Sequence, residues 1–222
     1  MFRFLSLHRL FFAAAAVAVA ISGAARAQDV RITQEMPYFE LDNGERFIVI
    51  ERNQDQEARI ADAFAKTSRP CPPFCIHPMS AGEGVETVGE LELMDFLEEH
   101  VADGTGYLVD SRLENWFRSG TIPGSVNIPF NLLENPSSNP FFAPVLSSLG
   151  VRKGTDGALD FSQAKELCLF CNGPWCDQSP RAIRNLLDVG YPAAKLRYYR
   201  GGMQNWHMLG LSVEVPAASI GG

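Results

Sequence analysis

The sequence has no run of basic residues, and its formal net charge is −7. A chain of that kind repels nucleic acid and anionic lipid, so neither is expected as a partner. It also has no apolar run long enough to cross a membrane. The stretch from Leu10 to Ile21 has twelve residues, and a spanning helix needs ~20. There is no internal repeat, and histidine is scarce, with four in 222 residues. His100 and His207 have no spacing that would make either a base for a cysteine nucleophile, and both read as surface, helix-end or packing residues. Cysteine is limited to five, an odd number, so at least one thiol stays free or pairs outside the chain.

What is present starts with an export pattern. Arg3, His8 and Arg9 form a basic region, the apolar run comes next, and Ala25-Arg26-Ala27 gives the small-x-small spacing of a cleavage site. Residues 1–27 are therefore expected to be a signal peptide, and the protein to be periplasmic or secreted, without stable membrane insertion. Cleavage would remove three arginines and no acid, leaving 16 basic against 26 acidic residues and a net charge of −10. All five cysteines, Cys71, Cys75, Cys168, Cys171 and Cys176, would remain in an oxidising compartment where pairing is plausible.

Residues 28–84 read as a small N-terminal extension. Asn43-Gly44 between two strand-like runs predicts a hairpin. Asp55 to Lys66 has helical composition, with Ile60, Ala63 and Phe64 on one stripe. One hairpin and one helix hardly form a core alone, so they are expected to pack on the larger domain C-terminal to them. Next comes CPPFCIHPM, inside a segment with four prolines in nine residues, which excludes helix and sheet. Its Cys71 and Cys75 admit three readings: a disulfide closing a stiff loop, a copper site completed by His77 and Met79, or a redox or sulfur-relay partner for another cysteine.

From Val85 the pattern alternates between short apolar strands and helices, down to Val215, with residues 216–222 as a tail. This predicts an α/β fold, a parallel sheet with helices on both faces. Glu90 to His100 is expected to be a helix with Leu91, Met94, Phe96 and Leu97 inward. The chemistry concentrates between Lys165 and Leu187. Leu167 to Phe170 reads as a buried strand and ends at Cys171. Ser179 reads as a helix N-cap with Pro180 at the first helical position. Cys171 thus stands at the carboxyl end of a strand, before a helix N-terminus. Backbone N–H groups and the helix dipole there favour a thiolate, the form that attacks. Cys168 falls on the opposite face of the strand and reads as core.

Three segments resemble the rhodanese-like sulfurtransferases. YLVDSRLENWFRSGTIPGSVNIPF (107–130) is similar to the family's strand-D-x-R and IPGA-x-NIP region. CNGPWCDQS (171–179) stands at its active loop, and YYRGGMQNW (198–206) matches its closing GG-x-x-x-W element. The resemblance covers residues 85–215 and implies one rhodanese domain working through a persulfide on Cys171. It also implies an active loop of Asn172, Gly173, Pro174, Trp175, Cys176, Asp177, Gln178 and Ser179, and no resident cofactor or metal at that site. The implied partners are a small sulfur donor and a thiol acceptor, or a sulfur-carrier protein. Asp110 and Arg112 match D-x-R and are either substrate-pocket residues or a salt bridge fixing the strand end.

The loop departs from the family pattern in two ways. It is about two residues longer, with no Arg or Lys and with Asp177 at the position where a Cys-x5-Arg phosphatase would need arginine. Thiosulfate, a dianion, is therefore a less suitable donor than a low-molecular-weight or protein-bound persulfide. It also holds Cys176, which is either a packed small residue or a resolving thiol. The second role would make the protein a periplasmic thiol–disulfide oxidoreductase using Cys171 and Cys176. A non-enzymatic sulfur- or copper-binding module is the remaining alternative.

Overall fold

The structure, a computed structural model, describes residues 30–134 and 137–217. The expected leader, residues 1–27, and the last part of the tail lie outside the described residues.

Five short strands form a parallel sheet: β3 (Glu86–Val88), β4 (Gly106–Asp110), β5 (Val126–Asn127), β8 (Glu166–Phe170) and β9 (Leu196–Tyr199). Their spatial order is β3-β9-β8-β4-β5, and every neighbouring pair is parallel. β8 therefore lies in the middle, with β9 and β4 beside it. Alternate side chains of the central strands enter two separate cores. Leu108, Cys168, Phe170 and Tyr199 join one, and Val109, Leu167, Leu169 and Tyr198 the other. Burial on both faces explains why these strands are continuously apolar in sequence. This is the α/β parallel sheet with helices on both faces that the alternating pattern predicts.

The first core is closed by α2 (Glu90–Phe96), α6 (Gly202–Met208) and an antiparallel hairpin of β1 (Tyr38–Asp42) and β2 (Phe47–Glu51). Ile48 and Ile50 of the hairpin are buried there beside Leu97, Leu108 and Trp206. The second core lies under α4 (Phe142–Ser148) and α5 (Gln178–Asp188), with Ala182, Ile183 and Leu186 turned inward. Two further elements, α3 (Glu114–Arg118) and a small hairpin of β6 (Arg152–Lys153) and β7 (Leu159–Asp160), lie at the periphery.

Two local expectations are corrected. The helix expected over 55–66 is reduced to α1 (Asp62–Ala65). Asn53 and Asp55 accept hydrogen bonds from the amides of Asp55 and Glu57, so side chains compete with the helical ladder at its expected start. In α2 the inward residues are Leu93, Met94 and Phe96, and Leu91 is exposed. Leu93, Met94 and Leu97 fall on one helical stripe, and Leu91 lies outside it.

Candidate active site

Cys171 is the first residue after β8, at the carboxyl end of the central strand, the edge where open parallel sheets bind ligands. Its side chain is buried, with 2% of the residue exposed. The chain then makes a tight loop, closed by the Cys176 amide donating to the Gly173 carbonyl at 2.9 Å, and enters α5 at Gln178.

Ser179 is not the N-cap. α5 begins one residue before it, with Asp177 in the capping position, so Ser179 and Pro180 lie inside the first turn. The Ser179 hydroxyl instead donates to Cys171 Sγ at 3.1 Å. Sequence spacing identified a serine at a helix start. The sulfur that takes its hydrogen bond is visible only in three dimensions.

The thiol's ionisation is set by this cage. Burial alone would push Cys171 up. The Cys176 thiol, the Ser179 hydroxyl and the amides of Ser179 and Gly173 all donate towards it and hold it below the ordinary thiol value. The Cys176 carbonyl, 3.3 Å from Cys171 Sγ, is a contact that only the protonated form can use. Cys176 goes the other way: burial first, then its hydrogen bond to Cys171 and the Cys171 charge, push it well above the usual range. Its hydrogen also has Gln178 Oε1 as an acceptor at 3.8 Å, but an ionised sulfur is the stronger acceptor. Cys168 is buried in the first core and pushed up to about 12, mainly by burial. It is an inert thiol facing away from Cys171.

The loop carbonyls are held by a second helix. Amides at the start of α6, those of Met203 and Gln204, donate to the carbonyls of Cys171 and Asn172 at 3.0 and 2.9 Å. Such close approach requires Gly202. Its φ is +55°, and a Cβ there would lie 2.4 Å from the Cys171 carbonyl oxygen. This is the physical content of the GG-x-x-x-W pattern, and Trp206 anchors the same helix in the first core.

Asp110 and Arg112 do not line an open pocket. Both are buried, and Arg112 Nε and Nη2 embrace the Asp110 carboxylate at 2.6–3.1 Å. Nη2 also donates to the Gly120 carbonyl, and Nη1 reaches Asn172 Oδ1 at 3.4 Å. The Thr121 hydroxyl adds a bond to Asp110. The pair braces the end of β4 and ties it to the active loop. Asp177, the acid in the loop, is neutralised by Arg181, which also meets Glu134.

The Pro-rich segment, left unplaced by sequence, lies against the outside of this loop. The His77 amide donates to the Pro174 carbonyl at 2.9 Å. Phe74 meets Trp175 edge-on, with ring centroids 5.6 Å apart, and the Arg69 guanidinium lies 4.1 Å over the Trp175 ring. Cys71 and Cys75 are joined as a disulfide, so neither offers a thiolate to copper. Among the described residues no group of three or more His, Cys, Asp or Glu is arranged to hold a metal. His207 is half-buried and stacked on Phe64, and burial lowers its pKa; it takes no part in the cysteine cage.

Residues 92–209 match the family described as rhodanese-like domain. The chain belongs to that family. Among curated proteins it is 26% identical over 107 residues to an HTH-type transcriptional regulator of Mycobacterium tuberculosis, covering 48% of this chain but only 37% of the relative. Among solved structures it is similar to a human single-domain sulfurtransferase, with 26% identity, coverage of 55% of this chain and 95% of the other, and a TM-score of 0.38. A Rhodopseudomonas palustris protein described as a possible tyrosine phosphatase gives 23% identity, coverage of 60% and 88%, and a TM-score of 0.42. The rhodanese-like match leaves residues 30–91 outside it, and these include the disulfide segment that covers Trp175.

The cage of this rhodanese-like domain makes one prediction. A thiolate is the form that attacks, so sulfur uptake at Cys171 is expected to rise with pH and to level off above its pKa. Ser179→Ala removes a donor that stabilises the charged form and moves the rising limb to higher pH. At a given pH on the rising limb the rate should fall about tenfold, the size of one charge-assisted hydrogen bond of ~1.4 kcal/mol, with the high-pH plateau retained. A pH–rate profile of both proteins checks this, and superimposable profiles would remove Ser179 from the cage.

Proposed function

We propose that the protein is a sulfurtransferase that carries a sulfane sulfur on Cys171. The Cys171 thiolate attacks the outer sulfur of a donor persulfide R–S–SH. The donor S–S bond breaks, R–S⁻ leaves, and Cys171–S–SH forms. An acceptor thiolate then attacks the outer sulfur and releases the Cys171 thiolate, completing two half-reactions. The observation that carries this reading is the ring of donors around a buried thiol at the end of β8. The same amides and hydroxyl that hold a thiolate also suit a persulfide anion. A low-molecular-weight or protein-bound persulfide suits the loop better than thiosulfate, because the loop has no Lys or Arg. The export pattern at the N-terminus, together with the Cys71–Cys75 disulfide, supports action in a periplasmic or extracellular setting.

The second reading, a thiol–disulfide oxidoreductase, is favoured by one observation, the contact between the two loop thiols. Cys176 as a thiolate would attack the inner sulfur of the persulfide, form the Cys171–Cys176 disulfide and expel HS⁻. The raised pKa of Cys176 opposes this, since a neutral thiol is a poor nucleophile. Cys176 serves instead as a hydrogen-bond donor.

Intact mass after incubation with glutathione persulfide tests both readings. The wild type should gain one sulfur (~32 Da for a thiol becoming a persulfide), and so should Cys176→Ser, whose hydroxyl still donates. Cys176→Ala should load several-fold more slowly on the rising limb of the pH–rate profile. No gain in any protein would sink the transferase. Loss of two hydrogens in the wild type, with persulfide trapped only in Cys176→Ser, would establish the oxidoreductase.

A further inference from the structure

The disulfide segment and the active loop enclose a cleft of about 950 Å³ that lies outside the Cys171 cage. That volume is within the range of small-molecule sites. Its lining includes three cations, Lys66, Arg69 and Arg200, and no aspartate or glutamate. In a chain with a net charge of −7 this is a concentration of positive charge. Most arginines near the sheet are neutralised: Arg112, Arg181 and Arg197 all face carboxylates. Among the described residues no carboxylate pairs with the three cleft cations.

Two of these cations are held in place by neutral groups. Arg69 Nη2 donates to the Ala63 carbonyl, its plane lies over Trp175, and its Nε is buried without a partner. Arg200 donates through Nε and Nη2 to the carbonyls of Pro78 and His77. Carbonyls and an aromatic face orient these charges without cancelling them. The rest of the lining combines polar Thr67, Ser68 and Gln204 with an apolar part made by Phe74, Ile76 and the Trp175 ring, which is fixed by its Nε1 donating to Gln204 Oε1 at 2.5 Å. The floor is Pro174 and Trp175, residues of the loop that starts at Cys171.

We propose that this cleft is a binding site for a small organic carboxylate, and that its ligand is the carboxylate-bearing thiol or persulfide that exchanges sulfur with Cys171. The link to sulfur exchange rests on the transferase reading; the binding site does not. Unpaired cations in a cleft attract and retain carboxylates, and the apolar wall accommodates the sulfur-bearing body. The site is built by residues 66–76 together with the active loop, so it is a property of this chain's extension and lies mostly outside the rhodanese-like segment.

The test uses S-methylglutathione, a thioether with two carboxylates that can neither donate sulfur nor reduce the disulfide. Calorimetric titration of the full chain should show saturable binding, unchanged in Cys171→Ser. Arg69→Gln should weaken it at least tenfold, and Lys66→Glu, a change at an exposed side chain, should weaken it several-fold. The diethyl ester of the probe, with both carboxylates masked, should bind at least tenfold more weakly. Absence of saturable binding at millimolar probe would overturn the site. So would equal binding by wild type, Arg69→Gln and Lys66→Glu. Binding that shows this pattern in a protein whose Cys171 accepts no sulfur would uphold the site and defeat the transferase reading. Sulfur loading without probe binding would do the reverse.

Discussion

Arg112→Ala is expected to destabilise the protein by about 3–5 kcal/mol, the cost of leaving one partner of a buried ion pair uncompensated. Asp110 and Arg112 are both almost wholly inaccessible, and the carboxylate receives Arg112 Nε, Arg112 Nη2, the Arg112 amide and the Thr121 hydroxyl. Deleting the guanidinium strands the carboxylate in the protein interior, where it must take up a proton or admit water. The same deletion frees the Gly120 carbonyl and Asn172 Oδ1. A urea unfolding curve should therefore show a markedly lower midpoint. Replacing both charges, Asp110→Leu with Arg112→Met, should recover part of the loss, because no lone charge remains. A single-variant loss below about 1 kcal/mol, the level of an exposed pair, would mean that the brace contributes little. Activity of the single variant should fall as well, since Asn172 sits directly after Cys171, the proposed nucleophile, and loses its side-chain contact.

On the proposed mechanism, Cys171→Ser should abolish sulfur transfer, with a loss of about 10³-fold or more, because it deletes the group proposed to form the covalent intermediate. A serine hydroxyl at this position can still accept from Ser179, so the loop should keep its shape. Near-UV circular dichroism unchanged from the wild type, combined with no persulfide by mass, separates lost chemistry from lost structure. Persulfide still appearing in this variant would transfer the role to another thiol. Cys176 is the nearest candidate, and its raised pKa makes it a poor one. Cys168 is more remote still, since its side chain enters the opposite core and its thiol is held protonated.

The sheet was legible from residues because its strands are buried on both faces and separated by helical patterns, so hydrophobic runs and turns marked each unit. The position of Cys171 was legible for the same reason: an apolar run ended at it and a helix signal came next. Three features were not. Ser179 carries the signature of a helix cap, and a hydroxyl's preference for an amide or for a sulfur anion depends on which is closer in space. Asp110 and Arg112 are two apart, a spacing equally suited to a solvent-facing anion site and to a closed pair, and only burial separates these. The segment 67–79 has no periodicity at all. It docks through backbone carbonyls, an edge-on contact of Phe74 with Trp175 and a stacked guanidinium, interactions that leave little trace in composition. The expected helix over 55–66 failed for a related reason, because Asn53 and Asp55 bond their own backbone.

The two amides at the start of α6 have a consequence in the order of synthesis. The Cys171 carbonyl is held by Met203, more than thirty positions later in the chain, and by no earlier amide among the described residues. A domain folds as a unit, so the loop at Cys171 takes its final shape only when the residues that fix it are present. Until Gly202, Met203 and Gln204 arrive, the nascent polypeptide carries a cysteine whose loop is open on one side. The loop thus completes its backbone contacts only when the far end of the domain is made, and a chain ending before Gly202 lacks them.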